Sequence, residues 1–138
     1  MITADEMRGR LVALCLGGSP GLPRRSKDLH IVLASATLWM EQGAIYSEGE
    51  VNQGLADWID RGCPSLTIDV VTLRRELVDR LYLDRDDSGA NYSPGPGPPQ
   101  WQFSDGVGDL DPVEVIETAR TEREARKAAH MSGGEEDR

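Results

Sequence analysis

The stretch from Tyr46 to Tyr92 constrains this chain most, because its punctuation fixes an order of helix, turn, helix and tight ribbon. Ser47-Glu48-Gly49-Glu50 has the Ser-x-x-Glu spacing of a capping box: Ser47 accepts from an early backbone N–H and Glu50 reaches back to the cap. Val51, Leu55, Trp58 and Ile59 recur at helical spacing, and Arg61-Gly62-Cys63-Pro64 supplies a stop. Asp69 is placed to cap a second helix, with Val70, Leu73, Leu77 and Leu81 in one sector of its wheel. Tyr82–Arg85 and Ala90–Tyr92 flank Asp86-Asp87-Ser88-Gly89, a hairpin-type turn. That order of parts is the order in a winged helix.

Length and composition narrow the rest. The 138 residues suit one compact domain with tails, and aromatic content of 5% implies an aliphatic core of modest size. No apolar run approaches the ~20 residues that span a bilayer. Asp5 and Glu6 precede the apolar run Leu11–Leu16, which is not a secretory pattern, so a cytoplasmic protein is expected, with no membrane partner. The net charge of −9 argues against an ordinary nucleic-acid binder. It is unevenly spread. Residues 1–93 hold 10 Lys/Arg against 14 Asp/Glu, a net of −4, and residues 94–138 hold 5 against 10, a net of −5.

Cys15 lies in an apolar run and reads as a small core residue; Cys63, in a turn before Pro64, is expected to be partly exposed. A reducing compartment disfavours a disulfide between them. With only His30 and His130 besides, no cluster has zinc-ligand spacing, and neither metal nor cofactor is expected. His30 has no Ser or Cys partner nearby, and the Gly17–Gly21 loop lacks the lysine of a phosphate loop, so no catalytic site is assigned.

The chain divides into an N-terminal helix and loop (1–21), a winged-helix domain (22–93), a mobile Pro/Gly-rich linker (94–110), a charged helix (111–130) and a disordered tail (131–138). Thr3 and Glu6 open the first helix, whose face is Met7, Leu11, Leu14 and Cys15. Ser26 is placed to cap a second helix running from Lys27 to about Gln42, with Gly43 beyond it, and Ile45-Tyr46 forms an extended link. Trp101 and Phe103 are expected to tuck back onto the domain. Asp111-Pro112 starts the last helix, which pairs such as Glu122 with Arg126 would sustain.

The expected fold is therefore mainly α with a small β-hairpin: a winged helix-turn-helix domain with extra helices at both ends. Thr72, Arg75, Glu76 and Asp79 face away from the leucine sector, where a DNA-reading winged helix meets the major groove. Candidate DNA contacts are Thr72 and Arg75 on that face, Arg85 at the ribbon, and Arg24, Arg25 and Lys27 in the one dense basic cluster. Arg74 falls on the flank and is assigned to structure, paired with Asp69 or Asp79. Two functions stay open: a DNA-binding or transcription-associated regulator, or a non-catalytic protein-interaction module that pairs with a partner or with itself through its outlying helices.

Leu22-Pro23-Arg24-Arg25 with Lys27, Tyr46–Asn52, Asp69 with Leu73–Asp79, Leu83-x-Arg85 and Gly89-x-x-Tyr92 together resemble a bacterial family, domain of unknown function 2087. The resemblance covers about residues 22–93. It implies a small winged-helix-like module linked to transcription, and it supplies no catalytic residues.

Overall fold

A computed structural model describes residues 1–136 as five α-helices around one small antiparallel sheet. Helix α1 (Ala4–Cys15) begins where the Thr3 side chain accepts from the Glu6 N–H, and it buries Met7, Leu11 and Cys15. Helix α2 (Ser26–Ser35) is buried almost all round beyond its first turn, from His30 to Ser35. After strand β1 (Tyr46–Ser47), helix α3 (Glu48–Gly62) opens on the full capping box at Ser47 and Glu50 and buries Val51, Leu55 and Trp58. Helix α4 (Val70–Asp79) starts at the Asp69 cap and buries Leu73 and Leu77. Strands β2 (Leu83–Arg85) and β3 (Asn91–Pro94) follow, then a 3₁₀ turn at Asp105–Asp109 and helix α5 (Pro112–Glu136). Helix α5 lies against both α1 and α3, and α3 also supports α4.

Several sequence expectations need correction. The sheet has three strands in the order β1-β3-β2, because Tyr46 and Ser47 pair with Tyr92 and Asn91 and are not merely a link. Helix α2 stops at Ser35, well before Gln42, and Ser26 is its first helical residue, Arg25 holding the cap position with no side-chain bond. The early stop has a local cause. Beyond Ala36 the backbone tightens to three-residue bonds, Thr37 N–H to Ala34 O, Leu38 N–H to Ser35 O and Met40 N–H to Thr37 O. Ser35 Oγ, Thr37 Oγ1 and Trp39 Nε1 donate to carbonyls of the same turns. Cys63 is buried beside Cys15, since it caps α3 against the end of α1. The 131–138 tail was expected to be disordered, yet α5 continues to Glu136, no proline interrupting its propagation; residues 137–138 lie outside the described ones. The Glu122–Arg126 ion pair does not form among the described residues, in keeping with the small worth of such exposed pairs. Arg123 instead donates to Leu16 O at 3.0 Å, closing the end of α1.

Leu81 also departs from its expected place. It lies beyond the end of α4, 46% exposed, at φ +69, the one non-glycine positive φ among the described residues. The Tyr82 N–H donates to Leu77 O (2.8 Å) and the Leu81 N–H to Val78 O (3.1 Å), the pattern of a Schellman close with leucine in the slot glycine usually fills. The ladder at four-residue spacing thus runs one step past the helix it describes. A left-handed leucine costs roughly 1–2 kcal/mol, partly offset by the greater entropy glycine loses on folding. Leu81→Gly should therefore raise stability by about 0.5–1 kcal/mol, read as a melting temperature higher by a few degrees. A lower melting temperature would show that the leucine side chain packs more strongly than its exposure suggests.

Residues 95–104, expected as a mobile linker, form a strap bound across the domain. Gly95 N–H donates to Tyr82 O and Gly97 N–H to Leu81 O. The strap then pairs with the N-terminus: Ile2 N–H donates to Gln102 O (2.8 Å) and Ser104 N–H to Ile2 O (2.9 Å). Trp101 tucks back, stacking on His30 with ring centroids 5.6 Å apart. His30 is buried, its Nδ1 2.8 Å from the Tyr82 hydroxyl. Burial, helped by the nearby Arg80 charge, holds the His30 pKa below its ordinary value. The unfolded chain binds that proton near pH 6.5 and the folded chain only at lower pH. The stability His30 contributes is complete above about pH 6.5 and is lost as pH falls toward the folded value. Urea titrations at pH 7.5 and 5.5 should show a smaller loss on acidification for His30→Gln than for the parent chain; equal losses would contradict this.

Candidate functional site

The outward side of α4 and the β2–β3 ribbon form a concavity of about 340 Å³, lined by Glu48, Arg74, Arg75, Val78, Asp79, Arg85 and Tyr92. Three arginines of the sequence reading therefore meet at one place. Arg74 forms its floor. Its guanidinium pairs with Glu48 Oε1 at 2.9 Å, bonds Asn52 Oδ1, and lies 5.8 Å from the centroid of the Tyr92 ring. Its partners are thus on α3 and not Asp69 or Asp79, because the flank of α4 that carries Arg74 faces the α3 N-terminus. Glu48, Asn52 and Tyr92 were not assigned a role from sequence. The signal for them was the Tyr46–Asn52 block, whose side chains converge on the arginine.

Arg75 and Arg85 have no ion pair among the described residues, and both are exposed. By contrast Arg8, Arg10, Lys27, Arg61, Arg74 and Arg80 each hold a carboxylate. The Arg85 guanidinium folds over Gly89, where an added Cβ would lie 2.4 Å from Nη2, and Gly89 itself sits at φ +75. Glycine is required there twice over: for the backbone and for the arginine.

The ribbon's acidic tip is internally organised. Asp86 accepts from Ser88 Oγ (2.8 Å), Asn91 Nδ2 (2.7 Å) and the N–H groups of Ala90 and Asn91, and these bonds hold its carboxyl down to about 2. Its charge is turned inward on the loop, which leaves Asp84 and Asp87 as the charges beside Arg85.

The other candidates lie elsewhere or are already engaged. Thr72 Oγ1 donates to Asp69 Oδ2 at 3.1 Å, so the hydroxyl is part of the helix cap, and these bonds lower the Asp69 pKa. Lys27 pairs with Glu6 of α1. Arg24 and Arg25 are exposed and unpaired among the described residues, but they do not line the concavity. They stand on the loop into α2, and Thr67 N–H to Pro20 O (2.8 Å) ties that region to the segment before α4.

Residues 21–93, just over half of the chain, match a bacterial family, domain of unknown function 2087, described as an uncharacterized protein conserved in bacteria. No curated protein and no solved structure gives a match. All the residues that line the α4–ribbon concavity fall inside the matched segment.

Proposed function

The chain belongs to the bacterial family of domain of unknown function 2087, and from that premise we propose that it is a cytoplasmic winged-helix protein that binds duplex DNA as a transcription-associated regulator. The element order α2-β1-α3-α4-β2-β3 and the strand order β1-β3-β2 support the winged-helix reading. In it α4 is the recognition helix and the ribbon is the wing. The observation that carries the proposal is that Arg75 and Arg85, which hold no ion pair among the described residues, share one concavity above a buttressed Arg74. Two guanidinium groups there suit phosphate and guanine edges. Arg24 and Arg25 extend the contact on the loop before α2, whereas Thr72 and Lys27 would first have to leave the cap and the ion pair that hold them.

The net charge of −9 makes the association weak at physiological salt and strong only where salt is low. Anisotropy of labelled random duplex at low salt tests the proposal. Arg75→Ala with Arg85→Ala should weaken binding about tenfold or more, with the circular dichroism spectrum unchanged. No binding by the parent chain, or equal binding by the double variant, would overturn it.

One observation favours a second reading, a protein-interaction module. Every described side chain of α5 from Arg120 to Met131 is exposed, so this part of the helix is open to another chain. Light scattering showing a strict monomer, with no partner recovered on immobilised protein, would remove that reading.

A further inference from the structure

A second cavity, of about 380 Å³, lies on the other side of α3, lined by Ser35, Leu38, Trp39, Gly54, Asp57, Trp58 and the segment Leu110–Val113. Its walls come from two sources. Ser35 to Trp58 lie within the family segment, and Leu110 to Val113 lead into α5, outside it. Two indoles, two leucines, a proline and a valine make it apolar, and the volume is ordinary for a small-molecule site.

The walls are held before any ligand arrives. Trp39 Nε1 donates to Ala36 O at 2.8 Å, and its ring meets Tyr46 edge-on with centroids 5.4 Å apart. Its six-membered ring rests on Gly54, where an added Cβ would lie 2.2–2.7 Å from Cζ2, Cη2 and Cε2. Trp58 is 3% exposed on the same helix. A rigid aromatic wall loses little freedom when something docks on it.

The charges that line this cavity are of one sign: Asp57 and Asp111 are its ionisable lining residues among the described ones, with Arg61 behind Asp57 and outside the lining. Asp57 is held only through Oδ2, by Arg61 at 3.4 Å, and Arg61 is shared with Glu117 at 3.5 Å. Asp111 uses Oδ1 to cap α5, accepting from Val113 and Glu114. The other oxygen of each carboxylate makes no hydrogen bond among the described residues. The positive end of α5 near Asp111 amounts to about half a charge, which the full negative charge of its cap outweighs.

An apolar, tryptophan-walled cavity with carboxylates at its rim complements an apolar body carrying a positive charge. We propose that this cavity binds a small aromatic or branched organic ammonium ion, with its body against Trp39 and Trp58 and its charge toward Asp57 and Asp111. The site is independent of the DNA reading, since it shares no lining residue with the α4–ribbon concavity. An occupant touches both the family domain and the first turn of α5, and so ties the placement of that helix to ligand.

Tryptophan fluorescence titration tests this with three probes of similar size: 2-phenylethylammonium, 2-phenylethanol and 3-phenylpropanoate. The ammonium ion should give a saturable change, at least tenfold tighter than the alcohol, and the carboxylate none. Asp57→Asn, which preserves size, should reduce that preference to threefold or less. Trp101→Phe, which removes the indole remote from the cavity, should leave the titration unchanged. Equal binding of alcohol and ammonium, no saturation by any probe, or a preference unaltered in Asp57→Asn would overturn the assignment.

Discussion

Leu77→Ala is expected to remove about 2–5 kcal/mol of stability, the range for deleting a fully buried leucine side chain into a cavity. That is a large share of the ~5–15 kcal/mol that holds a domain of this kind together. The expectation rests on how little else anchors α4. A ten-residue helix does not persist in water by itself, and only Leu73 and Leu77 of α4 are fully buried. Leu77 has a second duty. Its carbonyl takes the Tyr82 N–H that closes the helix and turns the chain into β2. The substitution keeps that carbonyl but empties the buried side-chain volume behind it, which loosens the seating of α4 and with it the spacing of Arg75 and Arg85. Urea denaturation measures the loss; Val71→Ala, on the exposed side of the same helix, should stay within about 0.5 kcal/mol. A cost below 1 kcal/mol at Leu77 would mean that α4 is held by something other than its leucines.

Gly54→Ala is the second large effect, and its sign runs against helix propensity. Alanine is favoured over glycine inside a helix by roughly 1 kcal/mol, so propensity alone predicts a more stable α3. The new methyl, however, would sit within 2.7 Å of three ring carbons of Trp39. The indole cannot swing aside without leaving Ala36 O and the edge of Tyr46. Overpacking of this kind typically costs ~1–3 kcal/mol, and here it has to overcome the propensity gain as well. We expect a net loss of about 1–2 kcal/mol, with tryptophan emission shifted to the red as Trp39 becomes more solvated. A stabilised variant with unshifted emission would show that the indole does not rest on the helix backbone.

Most helix starts were legible because each is set by a few adjacent residues. Thr3, Ser47, Asp69 and Asp111 all accept from the backbone N–H groups their spacing implies. So were the buried residues of α3 and α4, which follow a 3.6-residue period. What the sequence hid depends on contacts between distant segments. Tyr46 reads as a link until Tyr92 lies beside it. The 94–110 segment reads as a mobile linker because prolines and glycines carry no period, yet Gly95 and Gly97 are what let it lie close on Leu81 and Tyr82. His30 shows no partner in sequence, since Tyr82 and Trp101 reach it from 52 and 71 positions away (30 to 82, 30 to 101). At the candidate site Arg75 and Arg85 were legible as exposed cations. The Glu48–Arg74–Asn52 buttress was not, because carboxylates are plentiful and only the fold selects one.

On the proposed reading Arg75 and Arg85, without an ion pair among the described residues, replace counterions on a phosphate backbone. The dependence of duplex affinity on salt measures this directly, since each phosphate neutralised contributes about −0.9 to the slope of log K against log salt. For the parent chain we expect a slope near −2 or steeper, flattened by about 2 when Arg75 and Arg85 are both alanine. A slope near zero, or one that the double substitution leaves alone, would contradict it.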